Sequence, residues 1–377
     1  MADLTVAVVG GRLQGTEICY LAKKAGIRSI LIDKNPAPPA SGLCDAFYRL
    51  DALDDTERLA EILKTADVVV PALEDDAALE RLCGLCGRDG PRLAFDPRAY
   101  RISSSKRLSD AFFAENGVKC PAHYPKGGPP YIAKPSRGSG SKGVRLLRSA
   151  AEAEAFINET AEDYIIQEFI RGGQYSVEVI GAEGRYRAYE VTEVIVDETY
   201  DCKRVAAPAD ISGELKSRLA DIAVSLARAL GLTGIMDVEA ILMDGEFYVL
   251  EIDARFPSQT PAAVYAATGV NLLSELYGLF TGRFPAAPAR PGRFASYEHF
   301  LITGAGAAAQ GEHIIRGDAP LRLFKGFMGA DEALVPPGAA GEGAALTFIN
   351  SADSAAELEV KRGRMIKRLK NHEWGRL

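Results

Sequence analysis

The chain has 377 residues, of which 47% are hydrophobic, 25% charged and 8% aromatic, a balance that builds a large buried core and excludes disordered or fibrous architectures. Fifty-one acidic side chains against forty-four basic ones leave a net charge of −7, which argues against general nucleic-acid binding because neutralising phosphates needs a basic footprint. A single core rarely grows past about 250–300 residues, so two or three domains are expected.

Met1, Ala2 and Asp3 offer no basic n-region of a secretory leader. No run reaches the roughly 18–20 apolar residues of a membrane-spanning helix, and a cytoplasmic protein without membrane partners is expected. Val6–Val9 reads as a strand entering a glycine turn at Gly10, Gly11 and Gly15, a helix follows to Gly26, and Ser29–Ile32 is a second strand ending at Asp33. Ala46–Leu50 and Asp67–Val70 are strand-like, with Thr56–Ala66 and Ala77–Cys86 as amphipathic helices. Strands alternating with helices predict a parallel, doubly wound, Rossmann-like α/β domain over residues 1–98.

From residue 99 the pattern changes. A helix at Ser105–Asn116 precedes strands at Tyr131–Pro135 and Gly143–Leu147, a helix at Ala150–Ala161 and a strand-rich stretch. Leu215, Leu219, Ile222, Leu226 and Leu230 recur at helical spacing over Glu214–Leu230, with Gly231 as the stop. Residues 99–285 therefore read as α+β. The proline-rich stretch Phe284–Gly292 predicts a linker into a small C-terminal α+β unit, residues 286–377. Its terminal basic residues Lys361, Arg362, Arg364, Lys367, Arg368, Lys370 and Arg376 read as the solvated face of a helix, with an anionic partner surface as the alternative. The six cysteines are dispersed, and Cys83 and Cys86 have no second pair or histidine nearby, so reduced structural thiols are expected rather than zinc.

Two segments carry candidate chemistry. Lys134 ends an apolar strand and is followed by Pro135, Ser136, Arg137, Gly138, Ser139, Gly140, Ser141, Lys142 and Gly143, so an ammonium and free backbone N–H groups could meet a polyphosphate together. A flexible hairpin tip would look the same. Asp237–Met243 and Phe247–Asp253 read as two strands around Asp244, Gly245 and Glu246. A three-residue loop pairs Met243 with Phe247, Glu239 with Glu251 and Asp237 with Asp253, and places all four carboxylates on one face with Ile241, Met243, Phe247 and Val249. A two-residue loop would send Glu239 and Glu251 to opposite faces. Four acids on a largely apolar hairpin require cations, and oxygen ligands without His or Cys favour magnesium. Arg255, Ser258, Gln259 and Thr260 supply donors for a carboxylate or phosphoryl group. The N-terminal glycine turn with Asp33 has the logic of a nucleotide site, but its spacing is not Gly-x-Gly-x-x-Gly and close packing explains it equally well.

Lys106, Lys134, the glycine loop, the stretch Tyr164–Ile170 and the acidic hairpin, in that order, resemble the ATP-grasp carboxylate–amine ligases. Val9–Gly15, Ile32–Pro36, Tyr100–Ser103, Gly234–Ala240 and Glu251–Pro261 are similar to the branch of that family acting in pyrrolysine biosynthesis, which joins 3-methyl-D-ornithine to the side-chain amine of L-lysine. The resemblance spans residues 1 to about 300. It implies an ATP-grasp fold and places ATP on Lys106, Lys134, Ser136, Gly138, Ser139, Gly140, Gly143, Gln167, Glu168, Phe169 and Ile170. It implies a further nucleotide contact at Leu13, Gln14, Asp33, Asp51 and Ala52. Magnesium, as two ions, would be held by Glu239, Glu251 and Asp253. The ornithine-like substrate would meet Ser176, Val177, Glu178, Asp237, Arg255, Ser258, Gln259 and Thr260, and lysine would meet Arg12 and Glu74. Family members commonly carry lysine where Arg12 stands, and the two side chains are not interchangeable. Arg255 and Lys134 are the implied catalytic groups, and a homodimer is the commonest assembly. The alternatives are an ATP-grasp ligase for other amino acids, a nicotinamide-dependent oxidoreductase, and a non-catalytic nucleotide sensor.

Overall fold

The computed structural model describes residues 4–87, 90–138, 140–283, 292–304, 306–315, 319–338 and 342–371. Ser139, residues 284–291 of the linker expected over 284–292, and Arg376 lie outside them.

The first part is β1 (Thr5–Val9), α1 (Leu13–Ala25), β2 (Arg28–Asp33), β3 (Ala46–Arg49), α2 (Thr56–Leu63), β4 (Val68–Pro71), α3 (Asp76–Leu85) and β5 (Arg92–Leu93). The strands form a parallel sheet in the order β3-β2-β1-β4-β5, the doubly wound arrangement expected from strands alternating with helices. Asp55 and Asp75 begin α2 and α3 by accepting from Arg58 N and Ala78 N at 3.0 and 2.9 Å. In the glycine turn, a Cβ on Gly15 would stand 2.1 Å from the Gly10 carbonyl oxygen, and Gly10 has φ +107°. Only glycine fits both positions, so the turn is explained by close packing of α1 on β1.

The remainder begins with α4 (Pro97–Ser103), α5 (Lys106–Glu115), β6 (Tyr131–Pro135), β7 (Arg145–Leu147), α6 (Ala150–Glu159) and β8 (Tyr164–Glu168). Strands β7, β6 and β8 form a small antiparallel sheet. There follow β9 (Gly173–Ala182), β10 (Arg185–Ala188), β11 (Thr192–Val196), β12 (Cys202–Ala207), α7 (Gly213–Leu230), β13 (Gly234–Met243), β14 (Glu246–Asp253), α8 (Thr260–Thr268) and α9 (Leu272–Thr281). The chain closes with β15 (Phe294–Thr303), β16 (Gly306–Ala309), β17 (Arg322–Lys325), β18 (Glu332–Val335), β19 (Ala345–Ala352) and α10 (Ala355–Lys370).

The large sheet runs β14-β13-β9-β11-β12-β15-β19-β18-β17. Strands after residue 292 thus extend the sheet that carries the acidic hairpin. Helix α7 buries Leu219, Ala223, Leu226 and Ala227 against the face bearing Val177, Val179, Val238 and Ala240. On α10, Arg362 does not lie on a solvated face: it is 9% exposed and donates from Nε and Nη2 to Glu298 on β15 at 2.7 and 2.8 Å. Lys361 pairs with Asp331, whereas Arg364, Lys367, Arg368 and Lys370 are exposed. All six cysteines are free thiols. No helix among the described residues is long and apolar enough to cross a membrane.

Candidate active site

The β13–β14 hairpin sets the geometry. Glu239 pairs with Glu251 and Asp237 with Asp253, as expected, but the loop is two residues, not three: Met243 pairs with Glu246 and Leu242 with Phe247. Such a loop alone would put Glu239 and Glu251 on opposite faces. The register is restored because Ala240 pairs with Val249, leaving Leu250 as an extra residue in a β-bulge beside Glu251. The bulge also reverses the faces nearer the turn. Phe247 and Val249 join the core under α7 with Val238 and Ile252 instead of lying on the carboxylate face, and Leu250 takes a place beside Ile241 in a pocket.

Strand β9 widens the cluster. Glu178 pairs with Asp237 and Ser176 with Glu239, so two rows, Glu178-Asp237-Asp253 and Ser176-Glu239-Glu251, cross three strands. Glu178 is fully buried with both carboxylate oxygens unpartnered, and the Ser176 hydroxyl and Asp237 Oδ1 likewise lack partners. Burial pushes Glu178 up to about 7. Burial, with Glu251 close by, pushes Glu239 up to about 8, and burial with the neighbouring Asp253 carboxylate raises Asp237. Glu251 goes the other way. Burial would raise it, but the Lys106 and Lys134 ammoniums outweigh that and hold it below the ordinary carboxylate range. Lys106 Nζ lies 3.5 Å from Glu251 and donates to the Gly138 carbonyl at 2.8 Å. Burial lowers Lys134 below the usual lysine value.

Two pockets meet at Glu239 and Glu251, sharing Lys106, Gly138 and Gly140. One has an apolar wall of Ile132, Val144, Phe169, Ile170, Ile241 and Leu250, with Lys134 and Glu168 also lining it. The other is polar, lined by Glu74, Tyr100, Asp237, Asp253, Arg255, Ser258, Thr260 and Glu312. Arg255 Nη2 contacts Glu74 at 2.7 Å and Asp253 at 2.5 Å. Burial would lower this guanidinium, but the two carboxylates more than offset it, and burial leaves Asp253 at about 7 despite Arg255.

Glu312 was not legible in the sequence. It sits on a single 3-10 turn, Glu312–Ile314, far from the hairpin in sequence, and accepts from Ser258 Oγ at 3.2 Å and Gln259 Nε2 at 2.5 Å. Burial raises its carboxyl. Gln259 reaches it from a left-handed φ of +69°.

Other expected residues lie elsewhere or are already engaged. Gln167, 1% exposed, donates to Asp110 at 3.1 Å and turns inward, because alternate residues of β8 face the core. Val177 is likewise in the core, on the face opposite Ser176 and Glu178. Ser136 is buried beside Ser105, and its carbonyl receives Lys106 N at 2.8 Å. Glu168 lines the apolar pocket and accepts from Ala122 N at 2.9 Å, and Gly143 packs on Pro135 and Tyr164. In the first sheet, Asp33 accepts from Gly11 N at 2.6 Å and Asn35 N at 2.7 Å, closing the turn itself. Asp51 accepts from Leu53 N at 3.0 Å, Ala52 is core, and Leu13 and Gln14 open α1. Arg12 is exposed at the start of α1 and is not among the described residues lining the polar pocket, whereas Glu74 is.

The fold and the paired pockets define an ATP-grasp enzyme, and residues 103–259 match the ATP-grasp domain family. Among solved structures, N5-carboxyaminoimidazole ribonucleotide synthetase from Thermotoga maritima aligns with a TM-score of 0.67 at 22% identity over 97% of this chain and 98% of that one. An ADP complex of a synthetase of the same name aligns with a TM-score of 0.71 at 18% identity over both full chains. The 3-methyl-D-ornithine–L-lysine ligase of Methanosarcina barkeri is 38% identical over 300 residues, 79% of this chain and 80% of that protein. The enzyme of that name from Methanosarcina mazei is also 38% identical, over 79% and 78%. The chain belongs to the 3-methyl-D-ornithine–L-lysine ligase family.

Proposed function

We propose that the protein joins the carboxyl group of 3-methyl-D-ornithine to the ε-amine of L-lysine, cleaving ATP to ADP and phosphate. The observation that carries this reading is the meeting of an apolar pocket and a polar, acid-rich pocket at Glu239 and Glu251 beside Lys106 and Lys134. Adenine would lie against Phe169, Ile170 and Leu250, with its phosphates directed at the two lysines and the glycine loop. The unpartnered buried oxygens of Glu178 and Asp237, together with Glu312, suit the ammonium groups of a diamino acid, because uncompensated buried carboxylates call for cations.

Glu239 and Glu251 fit a magnesium site: both are oxygen donors, adjacent across two strands, and burial leaves Glu239 short of positive charge. Bound magnesium would offset phosphate charge there. The chain's own groups do the rest. Both described contacts of Arg255 run through Nη2, and a guanidinium has further donors with which to hold the donor carboxylate. A carboxylate oxygen attacks the γ-phosphorus and the bond to the β-phosphate oxygen breaks, giving an acyl phosphate and ADP. Lys106 and Lys134 stabilise the charge that moves onto the leaving oxygens. The neutral ε-amine of lysine then attacks the acyl carbon, phosphate departs, and the nitrogen loses a proton. No protein nucleophile takes part. Holding both reactants in one cleft supplies the rate, and closing that cleft would exclude water from the acyl phosphate.

The test is incubation with MgATP, D-ornithine or its 3-methyl form, and L-lysine, following nucleotide and product mass. ADP, phosphate and an ε-linked amide support the reading. AMP with pyrophosphate would overturn the acyl-phosphate step.

A further inference from the structure

Glu312 stands on one short turn, so its direction must be fixed from outside. Gly311 N donates to Asp197 Oδ2 at 3.0 Å and His313 N donates to Asp201 Oδ2 at 2.9 Å. Both peptide N–H groups next to Glu312 in sequence therefore end on the tip that joins β11 to β12. His313 Nδ1 meets the same Asp201 oxygen at 2.5 Å, and a Cβ on Gly311 would lie 2.4 Å from it. The tip is self-supporting, since Asp197 Oδ1 accepts from Thr199 N at 2.7 Å and Asp201 N at 3.2 Å. Asp197, Asp201 and His313 are close enough to resemble a cation site. Their contacts with peptide N–H groups and with one another are those of a brace.

The same tip holds the glycine loop. Ser141 Oγ donates to the Tyr200 carbonyl at 2.6 Å, and Tyr200 lines both pockets. Ser141 and Tyr200 have φ of +52° and +65°, a left-handed conformation that is unfavourable for a non-glycine residue and persists where surrounding contacts fix it. The Tyr200 ring also meets Phe169 edge-on at 6.1 Å on the adenine side. One hairpin tip thus touches the glycine loop, the apolar wall and the turn that aims Glu312.

We propose that the Asp197–Asp201 tip couples the two halves of the cleft, with Asp201 as the positioning residue: the hold of the tip on Ser141 beside the nucleotide and the seating of Glu312 on the amino acid favour one another. The proposal rests on the functional reading above, which turnover by the unaltered protein tests separately. The coupling is read from dissociation constants for magnesium with a β,γ-methylene ATP analogue, with and without saturating D-ornithine, and for D-ornithine with and without the analogue.

In the unaltered protein each ligand should tighten the other by the same factor, about fivefold or more, as reciprocity of linked binding demands. Asp201→Ala should bring that factor to near one while leaving affinity for the analogue alone unchanged. Asp201→Asn keeps a carbonyl acceptor for His313 N and should restore part of it. Ser141→Ala, which removes only the hydrogen bond at the other end, should lower the same factor and decides the question if Asp201→Ala does not fold. An undiminished factor in folded Asp201→Ala or in Ser141→Ala, or no mutual effect in an unaltered protein that turns over, would overturn the proposal.

Discussion

Glu239 and Glu251 stand directly across from each other on adjacent strands although the turn between the strands has only two residues, because Leu250 is bulged out of the ladder. Deleting Leu250 should keep this pairing, because Glu251 then follows Val249 directly and falls opposite Glu239 in the regular ladder that a two-residue loop dictates. What the deletion removes is an apolar residue lining the pocket beside Ile241. Binding of an ATP analogue, measured by calorimetry, is expected to weaken while remaining dependent on magnesium. Loss of the magnesium dependence would mean that the bulge itself, and not the pairing of the two acids, sets the site.

The carboxylates themselves can be removed without altering the register. Glu251→Gln and Glu239→Gln are isosteric and should each lower kcat by about a hundredfold or more, the loss expected when several kcal/mol of charge stabilisation at the phosphates disappears. Circular dichroism should remain that of the unaltered protein. The two variants should differ in stability. Glu251 is held ionised by Lys106 and Lys134, so neutralising it loses favourable contacts, whereas burial disfavours the charge of Glu239 and neutralising it relieves repulsion. Thermal unfolding at pH 8 should therefore rank Glu239→Gln above Glu251→Gln.

The hairpin also shows how far the sequence could be read. Pairing of Glu239 with Glu251 was legible from the alternation of acids with apolar residues, because a strand has a period of two. The bulge was not, since one inserted residue is indistinguishable from a longer loop when both preserve that pairing. Val177 and Gln167 followed the resemblance but lie on core-facing positions of their strands, a distinction their neighbours' alternation could have supplied. Glu312 left no local signal at all. Its place depends on Asp197 and Asp201, more than a hundred residues earlier in the chain, meeting Gly311 and His313. Asp33 after the glycine turn has the logic of a nucleotide site, yet its carboxylate closes the turn itself, a use that depends on backbone geometry rather than residue type.

Glu17 connects the first sheet domain to the start of α8. Its Oε1 accepts from Ala262 N at 2.6 Å in the first turn of α8, where Gln259 provides no side-chain cap. Burial pushes Glu17 up to about 8 from an ordinary 4.5. A carboxyl with a raised pKa binds its proton more tightly folded than unfolded, so stability falls as pH rises from about 4.5 to about 8. Glu17→Gln keeps the acceptor and never ionises. It should raise the melting temperature at pH 8 by a few degrees, have little effect near pH 5, and flatten the pH dependence between. Equal shifts at both pH values would mean that the carboxyl is not protonated in the fold.

The Arg362–Glu298 pair fastens α10 to β15 through two parallel N–H···O contacts, with Glu298 only 2% exposed. Breaking one side leaves the other charge buried and alone, which costs about 3–5 kcal/mol, whereas replacing both with apolar groups removes the desolvation penalty along with the attraction. Glu298→Ala should therefore destabilise the protein by that amount in urea unfolding. The double variant Glu298→Leu with Arg362→Met should lose less than the single one. Arg362 also contacts Glu359, which is far more open to solvent, and loss of that contact alone should cost under about 1 kcal/mol. A double variant as unstable as the sum of its two singles would show that packing of α10, rather than the ion pair, carries the attachment.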